Sequence, residues 1–206
     1  MGRRKKILFS IIVLFFVSGV YFTRYYSEEQ TLNKIIKEQG YHLYVQDKGI
    51  SFEFSVEEEW IPEHESENVV NLLVKEQYQT KIILRKVILS GSSIIFDFEA
   101  RTSTAANRRT GEFLYLDEIV NSGSFKSYDS IEKWKFTDIN GVDLIYDNHV
   151  IDGYGSGQGP GNQFSVSLDQ KYRNQIKEGL IVKFSGFILY KYSKSSSSWP
   201  LLFSVV

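Results

Sequence analysis

Apolar residues follow three regimes along the chain. From Ile7 to Phe22 they are nearly continuous, broken only by Ser10, Ser18, Gly19 and the amphipathic Tyr21. As a helix this run spans about 24 Å, and carrying it through Tyr25 and Tyr26 gives about 30 Å, the thickness of a bilayer's hydrocarbon core. Past Ser27 the period becomes helical. Leu32, Ile35 and Ile36 share one face, Ser27 takes the N-cap position, Glu28 and Glu29 complement the helix dipole, and Gly40 is a natural stop. This spacing predicts a short spacer helix over 28–39.

From Tyr41 onward the period is two, the signature of half-buried strands. Strands are predicted at 41–45 and 50–56, joined through Asp47-Lys48-Gly49, then at 69–74, 81–89 and 94–100, the last two joined by Ser90-Gly91-Ser92-Ser93. Further strands are expected at 113–116, 131–137, 142–146, 164–168, 180–192 and 199–206. Asp138-Ile139-Asn140-Gly141 is a hairpin signal, because Asn-Gly accepts the positive φ of a tight turn. Residues 57–68, acidic and containing Pro62, read as a solvated loop. Residues 102–111 and the glycine-rich 153–161 read as loops, and 170–178 as one polar helical turn. Short strands with turn signals at this spacing indicate a mainly β antiparallel sandwich.

Composition strengthens that expectation. Among 206 residues, 15% are aromatic and only three are proline, a bias toward pleated, half-buried surface. Charge is segregated: residues 1–26 carry five bases and no acid, while residues 27–79 carry twelve acids against four bases. Cations before the apolar run and acids after it place Arg3-Arg4-Lys5-Lys6 in the cytoplasm and everything from about Ser27 outside. Arg24 snorkels to the outer headgroups, and Tyr21, Tyr25 and Tyr26 form an aromatic belt. A cleaved signal peptide ending near Val17-Ser18-Gly19 is the competing reading, and either way the domain is exported. The cytoplasmic tip is too short to fold on its own. No segment beyond it is basic enough for nucleic acid. The chain has no cysteine, which excludes disulfides, thiol nucleophiles, zinc-thiolate sites and lipoprotein attachment. Export without disulfides is commonest in Gram-positive bacteria.

The stretches Thr80–Ser90 and Ile94–Phe98, with Trp134-Lys-Phe-Thr-Asp-Ile-Asn-Gly141 after them, resemble immunoglobulin-like extracytoplasmic domains of Gram-positive single-pass membrane proteins. The resemblance covers roughly residues 80–206. It implies an immunoglobulin-like sandwich over that range, and it carries a fold rather than a site. Such modules often lie outside the membrane in sigma-factor regulatory systems. This chain lacks the cytoplasmic segment those systems use. The expected organisation is therefore a basic tip and transmembrane anchor over 1–26, a spacer helix and β-hairpin region over 27–79, and the sandwich over 80–206.

Candidate chemistry is sparse. Ser130-Ile131-Glu132-Lys133 matches Ser-x-x-Lys, but Arg109-Thr110-Gly111, the nearest analogue of the Lys-Thr-Gly strand, lies upstream rather than downstream. Glu63-His64-Glu65 has ligand atoms that point apart on an extended chain, and His42 and His149, with Asp147 and Asp152, meet only if the tertiary fold brings them together. Asp138–Asp143 lacks the full calcium spacing and a distal glutamate, so a structural turn is expected. The glycine-rich loop lacks Gly-Lys-Ser/Thr. Trp60, Trp134 and Trp199 are expected in packing rather than in sugar stacking. No catalytic, cofactor or metal residues are assigned. The expectation is a membrane-anchored extracytoplasmic binding module without chemistry of its own, held by its N-terminal helix and facing a protein or cell-envelope partner. The alternatives are an accessory subunit acting through that helix, and an extracytoplasmic hydrolase with a dispersed site.

Overall fold

The computed structural model describes residues 12–16, 18–19, 27–104, 109–120, 123–128, 130–143, 151–157 (backbone alone) and 163–195. Most of the expected anchor, and the strand expected at 199–206, lie outside these residues. Residues 12–16 and 18–19 are helical. Among the described residues no helix is long and apolar enough to cross a membrane.

The fold is mainly β. Helix α1 (Glu28–Ile36) is followed by strands β1 (Tyr41–Val56), β2 (Ser66–Gln77), β3 (Thr80–Ser90), β4 (Ser93–Thr102), β5 (Thr110–Tyr115), β6 (Glu118–Val120), β7 (Ser124–Lys126) and β8 (Trp134–Asp138). Then come β9 (Ile151–Gly157), β10 (Gln163–Asp169), the short helix α2 (Arg173–Gly179) and β11 (Leu180–Lys194). One antiparallel sheet has the order β2-β3-β4-β10-β9. The other runs β1-β11-β5, with β8 also paired to β11, and β6-β7 form a small separate hairpin. Residues 41–79 thus share both sheets with the remainder, β1 through β11 and β2 through β3.

The two large sheets pack face to face over an aromatic core in a sandwich-like arrangement. Phe52, Phe98, Trp134, Phe164, Phe184 and Phe187 meet there, with Trp134 and Phe184 centroids 4.4 Å apart and Phe98 and Phe164 stacked at 5.1 Å. Contacts at these separations exceed what area burial alone contributes. The sheets are also joined by a polar stitch: the buried Thr80 hydroxyl accepts the Leu114 N–H at 3.0 Å.

A second core lies on the outer face of the β1-β11-β5 sheet. Leu32, Ile35 and Ile36 of α1 bury against Tyr41, Phe113, Tyr115, Ile188, Tyr190 and Tyr192. The expected spacer helix is therefore docked on the domain. Its cap is as the sequence implies, with the Ser27 hydroxyl accepting the Gln30 N–H at 3.2 Å. One strand serves both cores because β11 changes face: Leu180, Val182 and Phe184 point into the first, and after an irregularity at Ser185-Gly186 so do Phe187 and Leu189, leaving Ile188, Tyr190 and Tyr192 for the second.

Two expectations fail here. Asp47-Lys48-Gly49 is no hairpin turn; β1 runs straight through it, with irregular register between Val45 and Asp47 and between Lys48 and Ile50. Gly49 has φ +79°, so its conformational freedom serves a bulge. The glycine-rich stretch is in part strand β9, paired with β10, so its first residues are not loop.

Candidate binding face

The chain enters and leaves the described fold at one end. There the Glu28 carbonyl accepts the Thr104 hydroxyl at 2.8 Å, the Lys194 N–H donates to the Arg109 carbonyl at 2.6 Å, and the Ser195 N–H to the Gly40 carbonyl at 2.9 Å. The fifteen residues of β11 set the opposite end about 45 Å away.

At that distal end lies the acidic segment 57–67, which is anchored rather than merely solvated. Ile61 is buried in the first core, and Trp60 packs against it. The short 3-10 turn Glu58–Trp60 is held where Asn68 donates to the Trp60 carbonyl at 3.2 Å. Three glutamates are engaged: Glu58 pairs with Lys177 at 2.8 Å, Glu67 with Lys86 at 2.6 Å, and Glu65 accepts the Gly91 N–H at 3.1 Å. Glu57, Glu59 and Glu63 remain exposed.

Strand β2 continues from this segment along the open edge of its sheet. It carries two register irregularities, between Val69 and Leu72 and between Leu73 and Lys75, with Asn71 at φ +51° inside the first. The effect is to turn Val70 and Val74 toward the first core while Val69, Leu72 and Leu73 face outward at 60%, 39% and 50% exposure. Val69, Leu72 and Leu73 thus form an outward apolar strip on the edge strand that leads away from the acidic segment.

The sequence-derived candidates do not converge. His42 sits on β1 opposite Ser193, near the chain-entry end, whereas His64 belongs to the distal acidic segment; both are exposed. His149 and Asp147 lie outside the described residues. Among the described residues no three His, Cys, Asp or Glu side chains are grouped to hold a metal. Asp138 uses its carboxylate to close the Asn140-Gly141 turn, accepting the Val142 N–H at 2.7 Å and the Asn140 N–H at 2.8 Å. Those bonds hold its carboxyl below the ordinary range. Ser130 precedes the one-turn 3-10 helix Ile131–Lys133, and the Lys133 ammonium stands over the Tyr128 ring, 2.9 Å from its centroid. Trp134 is buried in the first core and Trp60 packs at its rim, while Trp199 lies outside the described residues.

Sequence reasoning missed a buried acid. Asp117 lies in the turn between β5 and β6, almost fully buried, with one carboxylate oxygen unpartnered and its pKa raised by desolvation. The Tyr190 hydroxyl beside it accepts the Ile119 N–H at 2.7 Å and points its own proton to the Asp117 carbonyl at 3.4 Å. Burial pushes the Tyr115 and Tyr190 hydroxyls up to about 12, and the Asp117 charge adds to it. The polar residue between Leu116 and Glu118 was the only signal.

No protein-family model matches this chain, and it matches none of the curated proteins or solved structures with which it was compared.

Proposed function

We propose that the chain is a membrane-anchored, extracytoplasmic binding module: residues 7–26 hold it in the bilayer with its basic tip in the cytoplasm, and the distal segment 57–67, together with the β2 edge that runs back from it, meets its partner. The observation that carries this reading is the helix at 12–16, whose Leu14, Phe15 and Phe16 are 68%, 74% and 72% exposed. Apolar helical side chains exposed on all sides belong in lipid. Two antiparallel sheets layered over an aromatic core support an immunoglobulin-like sandwich as the fold of this module. The partner is a protein or envelope polymer presenting basic groups beside apolar ones, chosen by charge complementarity to Glu57, Glu59 and Glu63.

The test is a photo-crosslinking residue placed at Leu73 in the membrane-bound protein, with Lys183 on the other sheet as the comparison. A partner captured at Leu73 alone, and lost when Glu59 and Glu63 are changed to lysine, supports the reading. Identical capture at both positions, or none at either, refutes it. Replacing residues 7–26 by an unrelated membrane helix leaves the Leu73 capture intact here, whereas an accessory subunit acting through that helix loses it.

A further inference from the structure

We infer that Asn140 is a self-modification site, an amide that converts to aspartate or isoaspartate, and that Asp138 keeps it dormant while its turn is closed. Asn140-Gly141 is the one Asn-Gly dipeptide in the chain, and both residues are exposed. The reaction is intramolecular. The Gly141 backbone nitrogen attacks the Asn140 side-chain carbon Cγ, the bond from Cγ to Nδ2 breaks, and Nδ2 leaves as ammonia carrying the proton that Gly141 gave up. Water then opens the resulting succinimide at either carbonyl, giving aspartate or isoaspartate. No oxidant or reductant takes part, and glycine hinders the attack least because it carries no Cβ.

The closed turn opposes each part of that reaction. The Gly141 N–H donates to the Asp138 carbonyl at 3.0 Å, so the attacking nitrogen is committed to the turn. Asn140 Nδ2 donates to Asp138 Oδ2 at 3.3 Å, which ties the leaving amide to the carboxylate. Asp138 Oδ1 accepts the Asn140 and Val142 N–H groups at 2.8 and 2.7 Å, and the Asp138 N–H donates to the Val142 carbonyl at 3.0 Å. One residue therefore holds the attacking nitrogen, the leaving group and the backbone on both sides of them. Conversion has to wait for the turn to open, and the opening equilibrium sets its rate.

The product does not fit the turn it leaves behind. Where Nδ2 donated to Asp138 Oδ2, a carboxylate presents an acceptor and a like charge. Isoaspartate also lengthens the main chain within the turn. Asp138 pairs with Leu180, and Leu180 with Val56 beside Glu57, so the new charge falls at the distal end of the domain. Ile139 lies against Gly179, where a Cβ would meet its side chain, and so links the turn to the start of β11. The inference is independent of what that end binds.

In the test, the purified full chain is incubated at mildly alkaline pH, and peptide mass spectrometry follows conversion at Asn140, with fragmentation separating aspartate from isoaspartate. The folded chain is expected to convert at least about tenfold more slowly than the same chain in urea, and folded Asp138→Ala about tenfold faster than the unchanged protein. Asp138→Asn, which keeps an oxygen for the backbone N–H groups, falls between them and carries the comparison should Asp138→Ala not fold. Ile35→Ala, which loosens α1 and leaves the turn alone, keeps the unchanged protein's rate. A chain that stays unconverted in urea overturns the site. A folded chain converting as fast as the unfolded one, or Asp138 variants no faster than the unchanged protein, overturns the protective role. Equal acceleration by Ile35→Ala overturns it as well, because global stability would then be the barrier.

Discussion

Gly186 is the position at which a single methyl group should disturb the whole fold. A Cβ built there lies 2.7 Å and 2.8 Å from two edge carbons of the Phe184 ring, with the ring's tip closer still. The ring cannot swing aside, because Trp134, Phe164 and Phe187 enclose it with centroids at 4.4, 5.2 and 5.4 Å. Gly186→Ala is therefore an overpacking change costing about 1–3 kcal/mol, whereas Phe184→Ala removes a buried ring at about 3–5 kcal/mol. In the double variant the new methyl enters the vacated space, so the combined loss falls short of the sum by about 1–3 kcal/mol. Urea unfolding followed through tryptophan fluorescence, to which Trp134 beside Phe184 contributes, measures all four corners. With a slope near 2 kcal/mol per molar, Gly186→Ala alone lowers the midpoint by about 0.5–1.5 M. A Gly186→Ala protein unchanged within about 0.5 kcal/mol, or a strictly additive double variant, refutes the claim that the ring and the glycine occupy one another's space.

Ile35 is fully buried beneath α1, so Ile35→Ala should cost about 2–5 kcal/mol and raise amide exchange across residues 28–36 before the sheets open. Asp117 has its folded pKa raised, so the native state holds the proton more tightly than the unfolded one. Stability is then lost as pH rises from the ordinary carboxylate range through the raised value. Asp117→Asn should flatten that part of a stability-versus-pH curve and leave the acid side unchanged; an unchanged slope would count against burial as the cause. Tyr115 and Tyr190, pushed up to about 12, bring a second loss as pH climbs past the ordinary tyrosine range, and Tyr190→Phe should reduce it when unfolding is followed by tyrosinate absorbance.

Where side-chain alternation and turn chemistry agreed, the strands were legible. Ser90-Gly91-Ser92-Ser93 does join β3 to β4, and Asp138-Ile139-Asn140-Gly141 does turn. The tight turn at Tyr78-Gln79 was invisible, because both residues adopt φ of 48° and 58° without the glycine or asparagine that signals such a turn. Asp47-Lys48-Gly49 erred the opposite way: positive φ at Gly49 is real, but whether it closes a hairpin or bends a strand depends on β11, about 140 residues downstream. The distal face was half legible. Its acids stood out as a cluster, but the outward turn of Val69, Leu72 and Leu73 depends on bulges that alternation alone does not reveal. Asp117 gave no pattern at all, since burial of one acid is decided by tertiary packing.

The path of the backbone has a mechanical consequence. From Ser27 the chain passes through α1 and Gly40 into β1, and β1 runs without a break to the segment that begins at Glu57. A pull between a point before Ser27 and one at Glu57 would thus travel along one covalent strand. Because both ends of such a pull lie on the same strand, its ladder to β11 would carry little of the load, and the already extended backbone of β1 would leave the domain little length to give.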